Sequence, residues 1–448
     1  VTNYSRYAAV KNGITGKALL EIILDDSQNS NLLQRKYKRY KAEKDGVPIF
    51  SRTISNDKIN SQVNNDFFSE IVDTKVGYMV GVPITYQTEE DSGEFQEILT
   101  RNNIDDLDAD TVQMSTICGK CYRLCYVDSE GFVKINLIDP WEVIEIYDVQ
   151  GTVIYSIRYY KLTEDITAVD IYSEKNREHW IIEGDTASPN TDENGNYIFE
   201  HLFQYNPMIK FQNNKEEQGD CDKVLELIDS YDRAFSDVDS EIEQMRLAYL
   251  AFYGVEFESG DLDKIRQTGA VTMPIDSKAE FITKDLNDSI LEHKFDRTEK
   301  NILRFANSAN FTDNKFATSS GIALRYKLLP LENKVKKSER KFSKGLRDMF
   351  KVLTSFMNIT GNINYLDIDF IFTRNVPIDI LDEAEATNKL KGYVSETTRL
   401  GQLTFVTDVD KEKQRMEEDM TGSVDFVSVA STEVDTDDID DEEDISQG

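Results

Sequence analysis

Residues 222–253, DKVLELIDSYDRAFSDVDSEIEQMRLAYLAFY, decide the reading of the fold. Val224, Ile228, Tyr231, Phe235, Val238, Ile242 and Met245 recur at alternating spacings of four and three, the packing seam of a long helix. On an ideal helix Asp222, Glu226, Asp229 and Asp237 lie opposite that seam with Glu243 at its margin, so the same segment carries an acidic face. Gly254 predicts the helix stop. Beyond it, 255–288 reads as short strands and turns around Ser259-Gly260, Thr268-Gly269 and Met273-Pro274, and helix resumes over 289–306. Two helices therefore bracket a small β-containing insertion.

Working outward, the first 55 residues hold a helical pattern through Leu32, Leu33, Tyr37 and Tyr40. The basic cluster Arg35, Lys36, Lys38, Arg39, Lys41 and Lys44 predicts a solvated face there. Asn56 is placed to cap a helix carrying Ile59, Val63, Phe67, Ile71 and Val76, ended by Gly81 and Pro83. A second helix is expected over Phe95 to Met114. From Ser115 to Phe211 alternating β-branched and aromatic residues predict antiparallel strands, with turns at Asp128-Ser-Glu-Gly131, Gln150-Gly151 and Glu193-Asn-Gly195. The polar stretch 212–219 after Asn206-Pro207 marks a boundary.

On the other side, 307–320 is rich in Asn, Ser and Thr and reads as a loop. A long helix follows from Gly321 to Asn358, with Leu331, Val335, Phe342, Leu346, Met349, Leu353 and Phe356 on its apolar side and Pro330 as a kink. Leu366 to Phe372 alternates like a strand, Pro377 with Asp379 starts a helix, and Ser395 starts another. The last 28 residues carry ten acids and no Lys or Arg and are expected to be a disordered tail. The expected class is α+β.

The formal charge of −32 disfavours a protein that grips DNA by counterion release, but suits a wall past which a duplex slides. The longest apolar run, around 248–255, is far too short for a bilayer, and no basic-then-apolar leader opens the sequence. Cys118, Cys121 and Cys125 cluster while Cys221 stands alone, a pattern for buried free thiols in a reducing cytoplasm rather than a disulfide scaffold. Structural zinc wants four ligands, and the nearest histidine to the cluster is His179. Gly13-Ile-Thr-Gly16-Lys17 is too short for a phosphate loop, and His179, His201 and His293 sit in no acyl-transfer motif. Asp367 and Asp369 share a strand pattern, but such pairs are common among 83 acids, and the tail lacks the glycine of a calcium loop. Neither catalysis nor a cofactor is expected, nor a metal. Against this acidic background Lys334, Lys337, Lys341 and Lys344 form a basic stripe flanked by Lys336, Arg340, Arg347 and Lys351. It reads as a phosphate-facing or inter-subunit surface, or as a solvated face partnered by acids of a neighbour.

Most of the chain resembles the portal proteins of long-tailed double-stranded DNA phages, the family typical of phages of Gram-positive bacteria. The resemblance is carried by NNDFFSEIVDTKVGYMVGVPITY (64–86), SSGIALRYK (319–327) with the following LENKVKKSERKF, and the passage from VPID (376–379) to VSETT (394–398). CGKCYRLCYVDSEG (118–131) matches a strand-turn-strand passage in which cysteine is not required. The resemblance implies an elongated subunit in a ring of about twelve copies. Its parts would be a wing over 1–220, a first stem helix over 221–254, a clip over 255–288 and a second stem helix over 289–306. A tunnel loop over 307–320, a long helix and strand returning to the wing over 321–377, a crown over 378–420 and the acidic tail over 421–448 would complete it. It further implies DNA contact by the tunnel loop, for which Asn310, Thr312, Asn314 and Lys315 are the candidates. The implied partners are double-stranded DNA in transit, the terminase large subunit, a head-completion adaptor, and the major capsid and scaffolding proteins, with no membrane. The location implied is the portal vertex of the virion, assembled in the host cytoplasm. The alternatives are another ring-forming head-tail connector and a carboxylate-metal nuclease, the latter favoured only by acid abundance.

Overall fold

Thr15 opens the first long helix by accepting the Ala18 N–H on its hydroxyl at 3.3 Å, the N-cap role its residue type favours. The computed structural model describes residues 3–54, 59–88, 93–245, 249–255, 275–282, 288–310, 321–357, 363–376, 380–403, 406 and 409–429. The chain divides into two units, 1–375 and 376–448. The first begins with α1 (Asn3–Val10), α2 (Gly16–Tyr40), α3 (Phe67–Val80), β1 (Thr85–Gln87), α4 (Gly93–Arg101) and α5 (Ile104–Cys118). Strands follow: β2 (Lys120–Val127), β3 (Val133–Ile138), β4 (Val143–Tyr147), β5 (Val153–Lys161), β6 (Ile166–Tyr172), β7 (Asn176–Glu183), β8 (Thr186–Pro189), β9 (Ile198–Glu200) and β10 (Met208–Gln212). The unit ends with α6 (Leu225–Met245), β11 (Tyr249–Tyr253), β12 (Lys278–Ile282), α7 (Asp288–Ala306), α8 (Gly321–Met357) and β13 (Asp369–Ile371). The class is mixed α+β, as expected.

Strands β4 to β8 pair in sequence order as an antiparallel sheet, with β9 also pairing β7. Its inner face, Ile144, Ile146, Ile157, Val169, Ile171 and Trp180, packs on Val10, Leu19 and Ile22 of α1 and α2. Each fully buried aliphatic side chain there contributes about 2 kcal/mol. A second sheet, β10-β2-β3, lies against α8, where Gly345 lets the helix approach the Phe211 ring. The turn signals are borne out in one repeated device. Asp128, Asp148 and Asp192 each accept the N–H groups two and four residues on, at 2.8 to 3.0 Å. The glycine three residues on, Gly131, Gly151 or Gly195, takes φ of 85 to 88°, which a Cβ would oppose.

Several local expectations are corrected. The helix forecast from Asn56 begins only at Phe67; Asn56 lies outside the described residues, and 59–66 is not helical. Its Val63 belongs instead to a non-helical segment bonded to α6. The forecast helix over Phe95 to Met114 is two helices, broken where Asn103 adopts φ 44° and Asn102 turns its amide to the Val133 carbonyl and the Ile135 N–H of β3. Helix then continues to Cys118, past the expected start of the strands. The long helix from Asp222 ends at Met245, and Tyr249–Tyr253 is a strand paired with β12 rather than its last turns. Tyr249, Phe252 and Tyr253 are aromatic residues that favour a pleated surface, and pairing with β12 outweighs the helical register. Leu366 lies in a 3-10 turn, and the strand that follows is the short β13 paired with β1. The long helix expected from Gly321 is α8, with Pro330 inside it as expected.

The second unit holds α9 (Ile380–Lys389), α10 (Glu396–Leu400) and α11 (Val409–Val429). Ser395 caps α10 as expected, accepting the Thr398 N–H at 3.3 Å. Pro377 and Asp379 lie outside the described residues. The disorder forecast after Met420 is corrected for 421–429, which are helical; 430–448 lie outside the described residues.

Candidate functional site: the paired helices and their roots

α6 and the turn before it are held by α2 and by Arg52 beyond it. Lys36 pairs with Asp222 at 2.7 Å, Arg39 with Asp229, and Arg52 with Asp237. The basic cluster expected to be solvated is thus partly an internal clamp, with Lys36 and Arg39 themselves buried. Of the acidic-face candidates, Asp222, Asp229 and Asp237 are consumed by these pairs, while Glu226 and Glu243 are exposed.

A second row on α6 meets residues 61–65. Ser240 Oγ accepts the Ser61 N–H at 3.0 Å, Ser236 Oγ the Val63 N–H at 3.0 Å, and Asp232 Oδ1 the Asn65 N–H at 3.1 Å. These three side chains are buried, a polar row beside the apolar seam that the sequence reading missed. Its signal was legible in hindsight as Asp232, Ser236 and Ser240 at a spacing of four, continuing Val224 and Ile228.

The seam itself is divided. Val224 and Ile228 are buried at the root. Tyr231 and Phe235 meet Phe295 of α7 with ring centroids 5.2 and 5.7 Å apart, so the two helices touch through aromatic edges. Val238 is half-buried, and Ile242 is 50% exposed. The burial of Met245 lies outside the described residues.

Beneath both helices lies an ionic cluster that no sequence motif announced. Lys75 of α3, fully buried, donates to Asn213 Oδ1 and stands 3.4 Å from Asp220. Asn213 Nδ2 donates to Asp220 Oδ1 at 2.7 Å, and Ser338 of α8 donates to Asn213 Oδ1 at 2.9 Å. Lys334, also on α8, reaches Asp220 Oδ2 at 2.8 Å. Burial pulls the Lys75 ammonium down to about 8, against the pull of Asp220. Burial alone would raise the Asp220 carboxyl, but Lys75 and Lys334 outweigh it and hold it at about 2. The one sequence clue was a lysine among Ile71, Val72 and Met79 on the apolar side of α3.

The basic stripe of α8 is split by this arrangement. Lys334 points inward, Lys337 and Lys344 are exposed, and Lys341 is half-buried within 3.5 Å of Gln212 Oε1. Lys341 and Lys344 line, with Lys351 and Lys210, a groove of about 1160 Å³. Of the loop candidates, Asn310 donates its side-chain amide to Glu299 at 3.2 Å; Thr312, Asn314 and Lys315 lie outside the described residues. Cys118 ends a helix, Cys121 and Cys125 lie on β2, and all four cysteines are buried free thiols. Burial pushes Cys118 and Cys125 up to about 12 and raises Cys121 and Cys221 as well, which keeps them protonated. Among the described residues no three His, Cys, Asp or Glu side chains gather as a metal site. Among them, too, no helix is long and apolar enough to cross a membrane.

This order, a rooted helix, an antiparallel strand pair, a second helix and then a long helix returning to the sheet, is matched along most of the sequence by one family model. Residues 19–423 match the family described as phage portal protein, SPP1 Gp6-like. The chain belongs to that family. It is 23% identical over 435 residues to the portal protein of Clostridium phage phiCD119 (strain Clostridium difficile/United States/Govind/2006), covering 89% of this chain and 94% of that one. It is also 23% identical over 399 residues to the portal protein of Bacillus phage SPP1, covering 82% and 78% respectively. A solved structure described as the neck of an empty GTA particle computed with C6 symmetry aligns with a TM-score of 0.49 at 10% identity, over 76% of this chain and 90% of that one. As a portal family member the chain is a structural, non-enzymatic virion component of the channel at a capsid vertex for DNA packaging and ejection.

Proposed function

We propose that about twelve copies close into the portal ring. In it, 1–220 with 321–377 form the wing, α6 and α7 the stem, the β11-β12 strand pair the described part of the clip, 307–320 the tunnel loop and 378–420 the crown. The observation that carries this reading is the solvent-exposed apolar surface of the paired helices. Ile242 and Ile290 are 50% and 61% exposed although α6 and α7 pack on each other near Phe295. Apolar side chains repeated along two helices are the kind of surface a neighbouring copy covers. The acidity of each copy supports a wall that repels phosphate rather than gripping it. Asn310, with Thr312, Asn314 and Lys315, is the proposed DNA-facing set, and Lys337, Lys341 and Lys344 the proposed inter-subunit or phosphate-facing surface.

In this reading the clip receives the terminase large subunit during packaging and a head-completion adaptor afterwards, while capsid and scaffolding proteins surround the wing. Negative-stain imaging of the purified chain tests the ring directly. Particles of about twelve subunits around a central hole are expected. A compact monomer at every concentration would overturn the conduit reading.

A further inference from the structure

Among the described residues Lys334 makes two polar contacts, and they belong to different elements. Its ammonium lies 2.8 Å from Asp220 Oδ2, ahead of α6, and donates to the Ala306 carbonyl at 2.8 Å, at the last residue of α7. A cation on a terminal carbonyl satisfies a group the helix leaves unpaired and complements the negative end of its dipole. Beyond Ala306 the chain leaves α7 by a defined turn. The Ser308 N–H bonds to the Leu303 carbonyl at 2.9 Å, the Asn307 N–H to the Arg304 carbonyl at 3.2 Å, and Asn307 takes φ 51°. Ala309 is buried, and Asn310 reaches back to Glu299. The exit from α7 is therefore ordered for four residues, and its first carbonyl is the one that Lys334 holds.

Asp220 is fixed from its own side. Its N–H bonds to the Thr116 carbonyl at 2.9 Å, and its carboxylate accepts Asn213 Nδ2 and faces Lys75. One ammonium on the long helix thus ties the root of α6 to the end of α7. We propose that Lys334 is a positioning residue for DNA passage: it sets where residues 307–310 leave the stem relative to the wing. The proposal rests on the portal reading, in which these residues lead toward the channel. It assigns Lys334 no contact with DNA, which separates it from the exposed lysines of the same helix.

Deleting Lys334 alone leaves Asp220 short of a partner, so the comparison is made between two variants that both lack the Asp220 charge and in which buried Lys75 loses its carboxylate alike. Rings of D220N and of D220N/K334M differ in the Lys334 ammonium, which contacts Ala306 and lies near Lys75. Hydrogen exchange should show the Asn307 and Ser308 amides exchanging about tenfold faster in the double variant, with the α2 amides unchanged. Phage heads built with the double variant should package less DNA than those built with D220N, and Lys334→Arg should retain wild-type exchange and packaging. Equal exchange in the two variants would overturn the positioning role. Faster exchange with undiminished packaging would overturn its link to DNA passage. Should D220N/K334M fail to fold, the same readings are taken between Lys334→Gln and wild type. Wild-type rings that admit no DNA would instead sink the portal reading, while the exchange comparison would still decide whether Lys334 holds the exit of α7.

Discussion

The Val63 N–H donates to Ser236 Oγ at 3.0 Å, the middle rung of a ladder between a non-helical segment and a helix. Two residues of extended chain advance ~6.6 Å, and four residues of helix advance ~6 Å, so alternate amides can meet every fourth side chain. Three rungs are seen among the described residues, and beyond the last of them Asp66 takes φ 51°. Ser236→Ala leaves a buried amide without an acceptor and should cost about 1 to 3 kcal/mol in denaturant unfolding. A change below about 0.5 kcal/mol, typical of surface sites, would show that the rung is dispensable.

Gly345 should invert a familiar rule. Replacing glycine by alanine inside a helix ordinarily stabilises by about 1 kcal/mol. Here a Cβ would stand 2.6 Å from Phe211 Cδ1 and 2.8 Å from Cε1, in the contact between α8 and β10. Gly345→Ala should therefore lower the melting temperature, with a cost of about 1 to 3 kcal/mol from overpacking. A rise would mean that the Phe211 ring yields freely.

The ionic cluster predicts a signed pH dependence. Asp220 titrates near 3.8 when unfolded and at about 2 when folded, so the folded state binds fewer protons between those values. Its contribution, about 2 kcal/mol, is present above pH 3.8 and lost as pH falls toward 2. Lys75 falls from 10.5 to about 8 on folding, so below pH 8 it carries a penalty that is relieved as pH rises to 10.5. Denaturant unfolding across pH should show both slopes. Asp220→Asn should flatten the acid limb, and Lys75→Met the alkaline one; unaltered slopes would remove the cluster from the account.

Two aspartate substitutions on α6 should separate folding from assembly. Ile228 is 1% exposed, so Ile228→Asp places a charge in the core and should abolish the folded subunit. Ile242 is half exposed, so Ile242→Asp should leave the circular dichroism spectrum and the melting temperature of the monomer intact while preventing ring formation. Rings from Ile242→Asp would show that this surface is not covered by a neighbour.

Elements with one dominant signal were legible in the sequence: the heptad pattern of α6, the Asp-x-x-Gly turns and the Ser395 cap. Misreadings fell where two signals competed. Val63 and Ile59 carry helical spacing, but residues 61–65 gain side-chain acceptors from α6, a partner distant in sequence. Residues 249–253 continue a helical register yet find a strand partner in 278–282. Among the candidate residues, Asp222, Asp229 and Asp237 were identified by type but not by role, because only the folded chain brings Lys36, Arg39 and Arg52 beside them. Lys334 was grouped with exposed lysines, since periodicity gives a face but not the Asp220 that turns one member inward.

The pairs Lys36–Asp222, Arg39–Asp229 and Arg52–Asp237 join residues 186, 190 and 185 positions apart. Such separations give high contact order, and a nascent chain leaving the ribosome at about 5 to 20 residues per second holds these cations unpaired for many seconds. The direction of α6 is therefore decided only past the midpoint of synthesis, after Asp237 has emerged, and a truncated product ending before Asp222 would display Lys36 and Arg39 as an unneutralised basic surface.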